Sequence, residues 1–125
     1  MDLIINHTSM EPIYEQIMIQ IKSGIIEGTL TAGEALPSVR ALSRELKISA
    51  LTVKKAYDSL EEEGLVVTVH GKGSFIANTN QELLMEERRK ELEKELEVAV
   101  RRAQAGGLTE KEIRETFDII MEDRL

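Results

Sequence analysis

Between Leu36 and Ile76 the sequence sets helix caps, apolar spacing and glycines in an order that few folds can use. Pro37 biases the residue before it toward extended geometry, and Ser38 can cap a helix start. Val39, Leu42 and Leu46 then give one apolar face to a short helix ending near Lys47. After Ile48, Ser49 can cap a second helix with Val53, Ala56, Tyr57 and Leu60 on its buried side, and Gly64 ends it. Leu65 to Val69 is rich in β-formers, His70-Gly71-Lys72-Gly73 is a turn, and Ser74-Phe75-Ile76 supplies a return strand.

Two short helices in tight succession, followed by a glycine-tipped hairpin, make the winged form of a helix-turn-helix. The flanking segments add helices. Glu11-Pro12 opens one, since a first-turn proline lacks only an N–H that would be unpaired there anyway. Ile13, Ile17, Ile21 and Ile25 form its stripe, widened by Tyr14 and Met18; Gly24 sits inside at some cost, and Gly28 is the stop. Leu3-Ile4-Ile5 is a candidate short strand, and Thr29 to Leu36 reads as a loop turning at Ala32-Gly33. From Gln81 the texture becomes charged and helical. Met85, Leu92 and Ala99 recur every seven residues, and Arg89, Leu96 and Ala103 are offset from them by four. Gly106-Gly107 breaks that seam, Thr109 and Glu112 match a capping box, and Ile113, Phe117, Ile120 and Met121 stripe a last helix.

The expected architecture is therefore mainly α with a small β-hairpin: a winged helix-turn-helix over 1–77, then a C-terminal αα-hairpin over 78–125. Leu92, Leu96, Ala99, Ala103 and Phe117 have too little partner surface within one hairpin, so a homodimer is expected to bury them.

A net charge of −7 is the wrong sign for a chain that faces nucleic acid over its whole surface. Its distribution changes that reading. Residues 77–125 carry nine bases against thirteen acids, whereas residues 36–57 carry Arg40, Arg44, Lys47, Lys54 and Lys55 against Glu45 alone. Attraction to phosphate follows the local field as well as the total. Other chemistries find little support. There is no cysteine, and His7 and His70 stand 63 positions apart, so neither a disulfide nor a zinc site is expected. Gly71-Lys72-Gly73 is no Walker loop, Glu61-Glu62-Glu63 reads as a solvated helix end, and no nucleophile–base set stands out, so no enzyme and no cofactor are expected. The apolar runs are too short to span a bilayer and the N-terminus lacks signal-peptide character, which points to the cytoplasm and makes the Asn6-His7-Thr8 sequon a chance match.

In a helix-turn-helix the second helix presents its first turns to the major groove. Here that places Ser49, Ala50, Leu51, Thr52, Lys54 and Lys55 outward. Thr52 can bond a base edge or phosphate, and the lysines can reach phosphate or guanine O6/N7, whereas Ala50 and Leu51 can at most touch a thymine methyl. Arg40 and Arg44, four apart on the preceding helix, can both lie over a phosphate strand. At the hairpin tip the glycines leave His70 and Lys72 free to approach the backbone or minor groove.

These residues, in this order, resemble the GntR superfamily of bacterial regulators over about residues 11–77. The likeness is carried by Pro12-Ile13-Tyr14-Glu15-Gln16-Ile17, Leu36-Pro37-Ser38-Val39-Arg40-Ala41-Leu42-Ser43, Thr52-Val53-Lys54-Lys55-Ala56-Tyr57, and His70-Gly71-Lys72-Gly73-Ser74-Phe75. Residues 78–125 resemble the two-helix dimerisation tail of the YtrA-like branch. The resemblance implies a homodimeric, sequence-specific repressor on an inverted-repeat operator in double-stranded DNA. It assigns DNA contacts to Arg40, Ser49, Thr52, Lys54 and the wing pair His70-Gly71, with Lys72 beside them. Ala50 stands where relatives often place arginine or asparagine, so operator sequence does not transfer. The residues point to no particular small-molecule effector. The competing reading is a winged-helix protein-interaction module, which would disperse Arg40, Lys54 and Lys72 around the fold.

Overall fold

The isoleucine stripe becomes helix α1 (Ile13–Glu27) in a computed structural model that describes residues 1–79 and 81–122. Asn80 and residues 123–125, which fall within the expected 78–125 tail, lie outside the described residues. Helix α2 (Val39–Leu46), helix α3 (Ala50–Glu62), strands β1 (Val66–Val69) and β2 (Gly73–Ile76), and helices α4 (Gln81–Ala105) and α5 (Glu110–Glu122) follow. The fold is mainly helical with one antiparallel hairpin, as the sequence led us to expect. Two compact units divide the chain, Met1–Leu84 and Met85–Leu125. Among the described residues no helix is long and apolar enough to cross a membrane.

In the first unit Ile17, Ile21, Leu42, Val53 and Leu60 are fully buried. Each such side chain contributes about 1.5–3 kcal/mol of transfer free energy, against about 0–1 kcal/mol for an exposed ion pair. The core therefore rests on three helices of branched aliphatics. Gly28, in the left-handed region at φ 84°, ends α1. Gly24 has a packing reason that the sequence alone did not reveal. A Cβ there would lie 2.7 Å from Leu30 Cδ1 and 2.8 Å from Leu30 Cγ, so the glycine makes room for Leu30 to enter the core.

Leu3 to Ile5, a candidate strand in the sequence, forms none. Two glutamines of α1, one helical turn apart, take the place of a strand. Gln20 accepts from the Ile4 N–H at 2.9 Å and donates to its carbonyl at 2.8 Å, and Gln16 does the same for Asn6 at 2.8 and 3.0 Å. Leu3 and Ile5 consequently pack on the core while Ile4 faces out.

The hairpin pairs Val66 with Ile76 through Val69 with Gly73. The stretch read as a loop lends it a third partner. Gly33 N–H donates to the Ile76 carbonyl at 2.8 Å, Ile76 N–H to Glu34 at 2.9 Å and Leu36 N–H to Ser74 at 2.9 Å, around an Ala35–Phe75 bridge. Both edges of β2 are thus occupied, which a two-stranded ribbon needs for stability. Gln81 Nε2 donates to the Ile25 carbonyl at 2.7 Å and Leu84 is buried, so the first turn of α4 belongs to this unit.

The second unit is a helical hairpin turned at Gly106 and Gly107 (φ 93°). Thr109 and Glu112 form the capping box: Thr109 N–H donates to Glu112 Oε1 at 2.9 Å and Glu112 N–H to Thr109 Oγ1 at 3.2 Å. Val100, Ala103 and Ile113 are half-buried, and no residue from Met85 to Glu122 is buried. Leu92 is 54% exposed, Leu96 40% and Phe117 47%, and Ala99 is exposed as well.

Candidate nucleic-acid interface

Local hydrogen bonds set the α2–α3 pair. Ser38 Oγ accepts from Ala41 N–H at 3.0 Å, and Ser49 Oγ from Leu51 N–H at 3.1 Å, so both expected caps are formed. Between them Lys47 adopts left-handed geometry at φ 56°, and Ser43 closes the turn by donating its hydroxyl to the Ile48 carbonyl at 2.6 Å while its own carbonyl accepts from Ile48 N–H at 3.1 Å. A longer-range bond locks the pair: the Tyr57 hydroxyl donates to the Pro37 carbonyl at 2.8 Å. Burial, then the nearby Glu45 carboxylate, pushes the Tyr57 phenol well above its ordinary pKa, so it remains a donor.

The candidate cations are not equivalent. Arg40 and Arg44 are exposed, one helical turn apart and opposite the buried Leu42, and their side chains make no ion pair or hydrogen bond among the described residues. Lys54 is paired with Asp58 at 2.6 Å, and that hydrogen bond and charge raise its pKa. Lys55 lies 4.1 Å from the centre of the Tyr14 ring, which turns it toward α1. Thr52 is half-buried beside them. Ser49 Oγ accepts the cap bond with one of its two lone pairs. Ala50 is exposed, and Leu51 is 78% exposed.

The wing tip carries His70, Gly71 and Lys72, all exposed, with Gly71 (φ 78°) and Gly73 (φ 117°) in the left-handed region. Lys72 N–H donates to the Val69 carbonyl at 2.9 Å, closing the turn, and neither the His70 nor the Lys72 side chain has a partner among the described residues. Two acids that read as solvated in sequence hold this arrangement. Glu61 Oε2 accepts from the Thr68 N–H of β1 at 3.1 Å, and Glu63 pairs with Lys22 of α1 at 2.8 Å. Arg40 and Arg44 thus lie on α2 and Ser49, Thr52 and Lys54 at or within α3, two helices that pack on each other, and Glu61 ties the hairpin bearing His70, Gly71 and Lys72 to α3. Lys55, on the same helix and exposed, lies over the Tyr14 ring. Among the described residues no group of three or more His, Cys, Asp or Glu is placed to hold a metal ion.

The profile of bacterial regulatory proteins of the gntR family matches residues 13–76, the stretch from α1 to β2. The chain belongs to the gntR family. Two of the proteins it is similar to match nearly end to end. The transcriptional repressor YtrA of Bacillus subtilis is 33% identical over 119 residues, covering 95% of this chain and 92% of that protein. The crystal structure of a transcriptional antiterminator from Listeria monocytogenes is 33% identical with a TM-score of 0.73, covering 98% of this chain and 92% of that one. The DNA-binding domain of AraR, solved in complex with operator ORX1, is 31% identical with a TM-score of 0.53, covering 60% of this chain and 93% of that domain. The family is one of bacterial regulatory proteins and YtrA is a transcriptional repressor; these are transcription regulators, which are not enzymes.

Proposed function

We propose that this gntR-family protein, a sequence-specific DNA-binding transcription regulator, works as a homodimeric repressor on an inverted-repeat operator. Residues 1–77 read the DNA and residues 78–125 dimerise. The observation that carries the reading is the pair Arg40 and Arg44: two cations without a partner among the described residues, on one exposed face of α2, beside a capped α3, in a chain whose net charge is −7. The operator complex of AraR, a relative of the same fold, supports it. Lys54, Thr52 and Ser49 act at the head of α3, and His70, Gly71 and Lys72 at the wing. The stripe of exposed Leu92, Leu96, Ala99 and Phe117, continued by half-buried Ala103, supports a second copy as the partner, because a two-fold contact would cover the same stripe twice. Repression is by steric occlusion or repositioning of polymerase, in the cytoplasm, with no catalytic step and no cofactor.

Selection of duplexes from a random library, with sedimentation of the free and bound chain, tests this. The expected product is an inverted repeat whose half-site centres lie about one helical turn, roughly 34–36 Å, or a multiple apart. Arg40→Ala lowers the slope of affinity against salt by about one unit per phosphate contact removed. Absence of any enriched sequence, or a chain that stays monomeric on a single half-site, would overturn the proposal.

A further inference from the structure

We propose that Leu51 is a base-reading residue, its side chain seated on the C5 methyl of one thymine in each half-site. This deepens the DNA-binding reading above and rests on it.

Leu51 is 78% exposed, while the next most exposed large hydrophobic residue of α1, α2 and α3 is Ile19 at 45%. Helical spacing sets it opposite the face of Val53, Ala56, Tyr57 and Leu60, so it adds nothing to the core. Its position is nevertheless fixed. Its own N–H is bonded to Ser49 Oγ at 3.1 Å, and the N–H groups of Thr52 and Val53 bond the Ser49 carbonyl at 3.1 and 3.3 Å, so the side chain projects from a rigid first turn. The neighbour on its N-terminal side is Ala50, which is small and has no polar head to compete for a base edge.

The major groove offers one apolar group on its base edges, the thymine methyl; every other recognition atom there is a donor or an acceptor. A leucine that enters this groove without meeting a methyl leaves a base-edge polar atom dry and unpaired, which is unfavourable. Lys54 and Lys55 flank Leu51 but are engaged with Asp58 and with the Tyr14 ring, so neither covers it. The first turn of α3 therefore carries an apolar probe one helical turn before two cations, and thymine is the base that fits it.

The test uses the full chain and the highest-affinity duplex recovered from the random library. Each thymine is replaced in turn by deoxyuridine, which removes the methyl and leaves the pairing intact. At one thymine per half-site the wild-type chain loses about fourfold in affinity, the worth of one buried methyl-sized group. Leu51→Ala binds the thymine and uracil duplexes equally. The inference is overturned if no uracil substitution weakens the wild type, if Leu51→Ala keeps the same uracil penalty, or if the selected half-site holds no thymine. Those outcomes leave specific binding intact. Failure to enrich any duplex would instead overturn the DNA-binding reading itself, and this inference with it.

Discussion

Lys54 Nζ lies 2.6 Å from Asp58 Oδ2 across one turn of α3, so a lysine assigned to DNA carries its own counter-ion on the same exposed face. DNA phosphate has to compete with that carboxylate for the ammonium. Asp58→Asn removes the competitor and the repulsion, and should tighten binding roughly two- to fivefold per half-site, the range spanned by exposed ion pairs. Lys54→Ala should weaken binding and lower the salt slope by about one. Anisotropy titrations over a salt series measure both. An affinity unchanged in Asp58→Asn would mean that Lys54 does not approach phosphate.

The Tyr57–Pro37 bond predicts a coupling between stability and recognition. Tyr57→Phe keeps the ring and removes the donor, which should cost about 0.5–1.5 kcal/mol of stability in a denaturant titration. Affinity for the selected duplex should fall as well, because that bond joins α3 to the residue preceding the Ser38 cap. A variant destabilised without loss of affinity would show that the α2–α3 angle is set elsewhere.

Gln16 accepts from Asn6 N–H and donates to the carbonyls of Asn6 and Glu11, and it is the buried polar residue of the core region. Gln16→Ala leaves those backbone groups to water or unpaired, at about 1–3 kcal/mol. Hydrogen exchange at Asn6 should accelerate, while the amides of α3 change only through the loss of global stability. Unaltered exchange at Asn6 would contradict the pairing.

The capping box of α5 sets a pH dependence. Hydrogen bonds from the Thr109 backbone N–H, and then from its hydroxyl, hold the Glu112 carboxyl below its ordinary value of 4.5. A carboxylate whose folded pKa is lowered stabilises the fold fully above its unfolded pKa, and that contribution fades as pH falls through the folded value. Carbon-detected titration should place the Glu112 midpoint below 4.5 in the wild type. Thr109→Val should move it only part of the way back, since the larger, backbone contribution survives. An identical midpoint in both would remove the hydroxyl from the account.

Much of this protein was determined by interactions a few residues long, and these were legible. Ser38, Ser49 and the Thr109–Glu112 pair cap helices through bonds within three residues, Gly28 and Gly64 supply left-handed geometry at helix ends, and the isoleucines of α1 repeat at the helical period. The cations of the candidate interface were legible too, as residue types at helical spacing. Which of them are free was decided only by the tertiary structure. Lys55 lies over the ring of Tyr14, forty-one positions earlier, and two of the three acids at the end of α3 hold β1 and α1 rather than facing water alone. Gly24 looked like a defect until Leu30 was packed against it, residues 33–36 became a sheet partner only because β2 returns beside them, and Leu3 to Ile5 found glutamines in place of a strand. Leu30 lies only six residues from Gly24 and Thr68 seven from Glu61, but each across a helix end, and the other deciding partners lie ten or more residues away, where side-chain periodicity and capping patterns carry no information about who will be adjacent.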